Sequence, residues 1–289
     1  MEKINLVITC YDGIRRQKYN NSISNLKLQN FSLNHFKHSI SQVTLVCTTD
    51  SDYSDDFLKQ LDEISKSDKY NTQIIYRENI GASYGSFNHV YTTYRQEFDQ
   101  YIFLEDDYAF SCDYFDEILL NKMFICPQAG YICSYADKTQ DMHAAISVGM
   151  MSSYALESIL QAKGKLAFAG SNTYKGLDGH EYAGQYLFSR NFLDLGFKIY
   201  DCSEDYDAWF FSCEDDENTI MCFSETFKNK KLMVPTQIFC DLLYSEGLPI
   251  QQSAFLTSHY NYPTHSCPVK HLKFLDNYMR SDLNFVNVI

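Results

Sequence analysis

Long apolar runs and positive charges are both scarce in this sequence. No stretch of about 18 consecutive apolar residues occurs, so we expect no transmembrane span. Lys and Arg number 24 against 37 Asp and Glu, which gives a formal net charge of −13. A chain this acidic repels nucleic-acid backbones and anionic membranes, so we expect neither as a partner.

Paired cysteines are missing as well, since none of the ten cysteines is part of a Cys-x-x-Cys motif. Cys10, Cys47 and Cys133 lie in apolar, strand-like runs, where a thiol behaves as a small hydrophobic group. The first residues enter a predicted strand at once, which leaves no room for a secretion signal. These features together predict the cytoplasm, a reducing compartment.

Short apolar runs alternate with helical stripes along the first 110 residues. The runs predict strands at 4–10, 43–48, 72–76 and 101–104, and the stripes predict helices at 19–33, 55–66 and 85–98. Three β-α units before a fourth strand predict an α/β protein with a mostly parallel sheet. Parallel strands end at the same edge, so we expect one crevice lined by the polar segments 9–12, 48–52, 79–81 and 105–107.

The pattern is looser after residue 107. It predicts helices at 113–122, 154–161 and 185–195, strands at 130–135 and 197–200, and a small, flexible segment at 144–153. No repeat, low-complexity tract or linker separates the halves. We therefore interpret 1–117 as a ligand-binding half and 118–289 as a second lobe of the same globular domain.

Three carboxylates, Glu105, Asp106 and Asp107, follow the apolar strand at 101–104 directly. They repel one another, and burying them unpaired is costly. At the exposed carboxyl end of a strand, where open α/β sheets bind ligands, a hard divalent cation would neutralise them. A solvated acidic turn is the plainer interpretation of such a triplet, but the three preceding β-α units favour the ligand site.

This succession of strands, Asn79-x-Gly81 and an apolar strand ending in Glu-Asp-Asp resembles the nucleotide-sugar-binding half of GT-A glycosyltransferases. The segment 104–107 and the acidic helix after it are similar to family 2 and N-acetylglucosaminyltransferase I-like enzymes. The resemblance extends to about residue 117 and weakens towards 200. It implies a GT-A fold, a Rossmann-like, mostly parallel sheet flanked by helices, with an acceptor-binding lobe at the C-terminal side.

The resemblance also implies an activity and a set of site residues. A hexosyl or N-acetylhexosaminyl group would pass, with inversion, from a nucleoside-diphosphate sugar to a hydroxyl acceptor such as a glycan. The last acid of the so-called DXD motif, here Asp107, would hold Mn²⁺ or Mg²⁺ on the donor diphosphate. Donor contacts would come from Thr9, Tyr11, Asp12, Arg15, Asp50, Asn79, Gly81, Gly85, Asn88, Glu105 and Asp106.

Physical chemistry supports the metal, because an acidic protein needs cations to hold an anionic diphosphate. The same ion would stabilise the nucleoside diphosphate as leaving group. Arg15 and Arg16 either steady a phosphate or form a solvated helix start. One of the C-terminal histidines (His259, His265 or His271) is a candidate third metal ligand, as in some GT-A enzymes.

The catalytic base of an inverting enzyme is expected to come from the second lobe. Asp178 and Glu181 precede a predicted helix, at the place where similar GT-A enzymes carry an acid. This chain has His180-Glu181 instead of the commoner Glu-Asp pair, so both acids stay open as the base. Helix capping is the alternative role for Asp178.

Two other functions compete with glycosyl transfer. The segment Gly81-Ala82-Ser83-Tyr84-Gly85 matches the nucleophile elbow of α/β-hydrolases, with Ser83 as nucleophile and later histidines available as its partner. The acid triplet has no part in such a mechanism. A non-catalytic sugar- or nucleotide-binding module is the second alternative. A second acidic string, 214–217, is interpreted as a solvated turn or helix start.

Overall fold

A computed structural model describes residues 2–10, 26, 29–30, 33–34, 36–49, 52–95, 97–106, 108–110, 113–133, 136–137, 143–144, 149–168, 181–201, 211–213, 220–222, 230–232 and 250–252. The helices are α1 (Asp55–Ser65), α2 (Ala82–Thr93), α3 (Phe115–Ile125), α4 (Ser153–Lys163) and α5 (Glu181–Asp194). The strands of the large sheet are β1 (Ile4–Cys10), β2 (Gln42–Thr48), β3 (Asn71–Arg77), β4 (Gln100–Glu105), β6 (Ala129–Cys133), β9 (Gly149–Ser152) and β10 (Lys198–Asp201). Shorter pairings join β5 (Tyr108–Phe110) to β14 (Ile250–Gln252), β7 (Ala136–Asp137) to β8 (His143–Ala144), and β11 (Phe211–Cys213) to β12 (Ile220–Cys222) and β13 (Lys230–Leu232).

The seven-stranded sheet has the order β10-β6-β9-β4-β1-β2-β3. Neighbours are parallel except at β9, which runs antiparallel to both β4 and β6. The predicted α/β class, a mostly parallel, Rossmann-like sheet flanked by helices, is therefore confirmed. The sheet contains strands from before and after residue 117, and the division there into two lobes stays a prediction.

One face of the sheet packs against α2, α4 and α5, and we call it the α2 face. Its core is aromatic: Phe87 of α2 stacks on Phe103 of β4 at 4.3 Å between ring centroids, and Phe188 of α5 lies against both rings. Val7 of β1 and Val46 of β2 belong to the same cluster. Because strand side chains alternate, Leu6, Ile8 and Leu45 point to the opposite face, and they are completely buried there.

The segment that the sequence predicts to be flexible contains a central strand. Gly149–Ser152 forms β9 between β4 and β6, and its Met150 and Met151 are completely buried. The prediction of flexibility is wrong for these residues. Four residues are too few to show a period, and their small and unbranched side chains carry little strand propensity.

The other elements differ from their predicted bounds mainly at their ends. Helix α2 begins at Ala82 and ends at Thr93, three to five residues earlier than the predicted 85–98. Most of the predicted helix at 19–33 lies outside the described residues, but residues 26, 29, 30, 33 and 34 are helical. Within the described part of the chain, no helix is both long and apolar enough to cross a bilayer.

The acids that follow the Glu-Asp-Asp triplet have a structural role. The carboxylates of Asp113 and Asp116 accept hydrogen bonds from the backbone N–H groups of Lys37 and Ser39, at 2.9 and 2.6 Å. The Tyr114 N–H donates to the Lys37 carbonyl at 2.6 Å. These bonds fasten the start of α3 to the segment that leads into β2. Asp116 is completely buried, so its ordered acceptor role explains an acid at that position.

Candidate functional site

Four parallel strands end at one edge of the sheet, which we call the carboxyl edge. β1, β2, β3 and β4 all run towards it, and their last residues are Cys10, Thr48, Arg77 and Glu105. In register, Thr9 lies opposite Glu105, and Thr48 lies opposite Arg77. The sequence-based expectation that these polar strand ends share one edge is therefore confirmed for the described residues.

The strand order places a topological switch point at this edge. From β1 the chain moves outward through β2 and β3, then returns to place β4 on the other side of β1. The strand that follows β1 therefore lies on one side and the strands of this sheet that follow β4 on the other, which predicts a crevice outside the carboxyl ends of these two strands. Open α/β sheets bind their ligands in that crevice. The acid triplet begins there, at the last residue of β4.

Glu105 and Asp106 differ in their exposure and in their contacts. Glu105 is half-buried on the α2 face, where its carboxylate accepts a hydrogen bond from the Ser83 hydroxyl. Asp106 is 1% exposed, and its backbone N–H donates to the Thr9 carbonyl at 2.9 Å. Asp107, the predicted metal ligand, lies outside the described residues.

Two of the acids proposed for the metal site, Glu105 and Asp106, are described. Carboxylate oxygens such as those of Glu105 and Asp106 match the ligand preference of Mg²⁺ and Mn²⁺. However, no group of three or more His, Cys, Asp or Glu side chains in the described ranges is arranged to hold an ion. The carboxylates of Glu105 and Asp106 therefore fit the chemistry of a hard cation. A complete metal site needs further ligands, such as Asp107.

Thr9 and Asn88 use their side chains within the protein. The Thr9 hydroxyl is completely buried and lies 3.4 Å from the Leu104 carbonyl, to which it donates. The Asn88 side-chain oxygen accepts the Leu166 N–H at 2.9 Å, which ties α2 to the segment after α4. Contacts of these two residues with a donor stay predictions. Tyr11, Asp12, Arg15 and Asp50 lie outside the described residues.

The connection from β3 to α2 is fixed by Arg77. Its guanidinium donates to the Ile80 carbonyl at 2.7 Å and to the Ser86 hydroxyl at 2.8 Å. Gly81 caps the helix with φ +77°, and a Cβ there would meet the Phe168 ring at 2.3 Å. Asn79 is half-buried in the same connection. The sequence did not single out Arg77, although a cation at the end of a strand in so acidic a chain was a usable signal.

Gly85 allows a close approach within the protein. A Cβ at this position would lie 1.9 Å from the Ile80 carbonyl oxygen, a backbone atom that has no room to move. Close packing within the protein therefore explains why both positions of the Gly-x-Ser-x-Gly segment are glycine. Approach of a donor to Gly81 and Gly85 stays a prediction.

The serine hydrolase alternative is not favoured by the geometry. A nucleophile elbow places its serine on the strained turn between strand and helix, with the hydroxyl exposed. Here the positive φ angles fall on Gly81 and Ala82, and Ser83 lies inside the first turn of α2. Ser83 is 5% exposed, and its hydroxyl donates to a carboxylate instead of a histidine.

Helix α5 begins beside the first turn of α2. Gly184, near its start, lies so close to Tyr84 of α2 that a Cβ would be 2.9 Å from the ring. The Tyr84 and Phe188 rings lie 5.0 Å apart. Glu181 is the first residue of α5, so its backbone lies one turn from this contact with α2. Asp178 lies outside the described residues.

Tyr53 was not predicted, yet it joins the ends of β1 and β2. Its hydroxyl oxygen accepts the Thr48 N–H at 2.6 Å, lies 3.1 Å from the Thr48 carbonyl and is 3.4 Å from the Cys10 carbonyl. Burial raises the pKa of Tyr53 far above its usual value, and the nearby Cys47 thiol adds a smaller contribution. The neutral phenol thus acts as a fixed cross-link between the two strand ends.

No protein family matches the chain by sequence, and no curated protein matches it either. Solved structures with a similar fold include 4-diphosphocytidyl-2C-methyl-D-erythritol synthase from Anaerococcus prevotii, at TM-score 0.44 and 14% identity over 69% of this chain and 86% of that one. A mannosyltransferase from Pyrobaculum calidifontis, in complex with GDP-Man and Mn²⁺, has TM-score 0.40 and 10% identity over 69% and 54%. The inositol-1-phosphate CTP transferase from T. maritima has TM-score 0.41 and 12% identity over 69% and 85%. These values place the chain in none of the three families.

Proposed function

We propose that the chain is a metal-dependent glycosyltransferase that moves a sugar from a nucleoside-diphosphate sugar to a hydroxyl acceptor. The observation that carries the proposal is the position of Glu105 and Asp106, the first two acids of the triplet, at the switch point between β1 and β4. Three acids at the ligand-binding crevice of an acidic protein suit a diphosphate only when a divalent cation bridges them. We place the protein in the cytoplasm, because the buried Cys10 of β1 and Cys47 of β2 lie among apolar side chains, where a thiol acts as a small hydrophobic group in a reducing compartment.

In this proposal Asp107 holds Mn²⁺ or Mg²⁺ against the donor diphosphate. The ion would neutralise the phosphates and stabilise the departing nucleoside diphosphate. Base, ribose and sugar would contact the polar residues at and after the ends of β1 to β4. Thr9, Arg77 and Glu105 set the geometry of that edge through their bonds within the protein.

The acceptor is proposed to enter from the side of α5. An acceptor hydroxyl is too weak an acid to attack unaided at neutral pH, so inversion needs a base opposite the leaving group. Contact between Tyr84 and Gly184 supports this arrangement, because it brings the first turn of α5 beside that of α2. Glu181, at the start of α5, is our choice for the base, with Asp178 as the alternative.

Thermal unfolding with a panel of nucleoside diphosphates tests the proposal. Mn²⁺ together with one nucleotide is expected to raise Tm, and EDTA is expected to remove the effect. At 100 times Kd the stabilisation is about 2.7 kcal/mol, which corresponds to several degrees. Nucleotide without metal and metal without nucleotide are the controls.

Three results would count against glycosyl transfer. Covalent labelling of Ser83 by a fluorophosphonate, with no response to metal or nucleotide, would indicate a hydrolase. A shift with metal and nucleotide but no turnover of any nucleotide sugar would indicate a binding module. If no nucleoside diphosphate of the panel changed Tm in the presence of Mn²⁺, the proposed donor site would be ruled out.

A further inference from the structure

Two motifs that the sequence presents as rivals contact each other in the fold. Ser83 lies at the centre of the Gly-x-Ser-x-Gly segment, and Glu105 is the first acid of the triplet at the switch point. The Ser83 hydroxyl donates to Oε1 of Glu105 across 22 residues of sequence. Ser83 is almost completely buried, and Glu105 is half-buried at the carboxyl edge of the sheet.

The start of α2 favours a negative charge beside it. The N-cap residue of this helix is a glycine without a side-chain cap, and its first turn contains no acid. N–H groups that have no partner within a helix, together with the helix dipole, make such a terminus attractive to a carboxylate. Glu105, held by Ser83 of the first turn, supplies that charge from the neighbouring strand.

The first turn of α2 is a rigid support for this contact. Arg77 of β3 donates to the Ile80 carbonyl just before this turn, at 2.7 Å, and to the Ser86 hydroxyl just after it, at 2.8 Å. Gly85 packs directly against the Ile80 carbonyl, and Tyr84 packs against Gly184 and Phe188 of α5. A hydroxyl on this turn therefore has a fixed position relative to the carboxyl edge of the sheet.

We infer that Ser83 is a positioning residue, which holds the Glu105 carboxylate in the orientation that binds the nucleotide-sugar donor with its metal. This inference rests on the proposed function. A hydrogen bond to a carboxylate is stronger than one between neutral groups. The bond from Ser83 fixes the Glu105 side chain, which has three rotatable torsions. Without the bond, repulsion from the neighbouring acids would displace the carboxylate.

A double-mutant cycle of Ser83→Ala and Glu105→Ala tests the inference. The measured quantity is the Kd of Mn²⁺–nucleoside diphosphate by calorimetry, using the nucleotide that stabilises the wild-type protein most. Ser83→Ala is expected to raise Kd roughly 10- to 100-fold when Glu105 is present. In the Glu105→Ala background the same change should alter Kd less than about twofold.

Thr93→Ala is the matched control. It removes a hydroxyl from the opposite end of the same helix, where the group donates to the His89 carbonyl at 2.8 Å. The Kd of this variant should stay within about twofold of wild type. In turnover, Ser83→Ala should raise the donor KM and leave the acceptor KM unchanged.

The possible results separate the two claims. Equal effects of Ser83→Ala in both backgrounds, or an equal effect of Thr93→Ala, would overturn the positioning role while the donor site stands. A wild-type protein that binds no metal–nucleotide pair would overturn the proposed function, and the positioning role with it.

Discussion

Replacing Asp107 with Ala is expected to abolish metal-dependent turnover while the protein stays folded. The carboxylate is proposed to join the cation to the donor diphosphate, so its loss removes the charge stabilisation of the leaving group. The reduction should exceed the roughly 10²–10³-fold that removal of one preorganised electrostatic contact costs. Folding should survive, because one member of a mutually repulsive cluster is removed. The measurement is nucleoside diphosphate release with Mn²⁺, beside the thermal unfolding curve.

Asp216→Ala is the matched control for this prediction. Asp216 belongs to the second Glu-Asp-Asp string of the sequence, which we interpret as a solvated turn or helix start. Its replacement should leave turnover unchanged. Near-full activity in Asp107→Ala together with its loss in Asp216→Ala would show that the wrong string had been assigned to the metal.

Glu181→Gln is expected to lower turnover by about 10²–10⁴-fold, the usual contribution of a general base. Gln keeps the shape and hydrogen-bonding capacity of Glu but cannot accept the proton of the acceptor hydroxyl. Binding of the metal–nucleotide pair should be unchanged, because Glu181 is proposed to act on the acceptor. Single-turnover rates and the nucleotide Kd of the variant measure the two quantities.

Asp178→Asn provides the comparison, since Asp178 is the other candidate. If Asp178 only caps the helix, its replacement by Asn, also a good cap, should leave the rate close to that of wild type. An unchanged rate in Glu181→Gln would end the assignment of this base. Retention of the anomeric configuration in the product would end the inverting mechanism itself.

The parallel part of the sheet was predictable because its strands are long and apolar. β1, β2 and β4 are buried over nearly their whole length, which the sequence shows as continuous runs of Val, Ile, Leu and Phe. β9 was not predictable from its own four residues. Its conformation is imposed by the partners on each side, β4 and β6, which supply both rows of hydrogen bonds.

The candidate site was predictable where it depends on strand ends and not where it depends on packing. Alignment of Thr9 with Glu105 follows from parallel strands that share an edge. The contact between Ser83 and Glu105 joins residues from two separate motifs, and no local pattern connects them. The cross-link made by the buried phenol of Tyr53 is likewise visible only in the folded chain.

Phosphorus NMR of the reaction products tests the central claim most directly. Glycosyl transfer and nucleotidyl transfer both use nucleotides and a divalent metal, but the two reactions break different bonds. A glycosyltransferase breaks the bond between the anomeric carbon and the phosphate oxygen. Incubation with nucleotide sugars, an acceptor and Mn²⁺ should therefore release a nucleoside diphosphate, and EDTA should stop the release. Formation of pyrophosphate from a nucleoside triphosphate and a sugar phosphate, with no release of nucleoside diphosphate from any nucleotide sugar, would contradict glycosyl transfer.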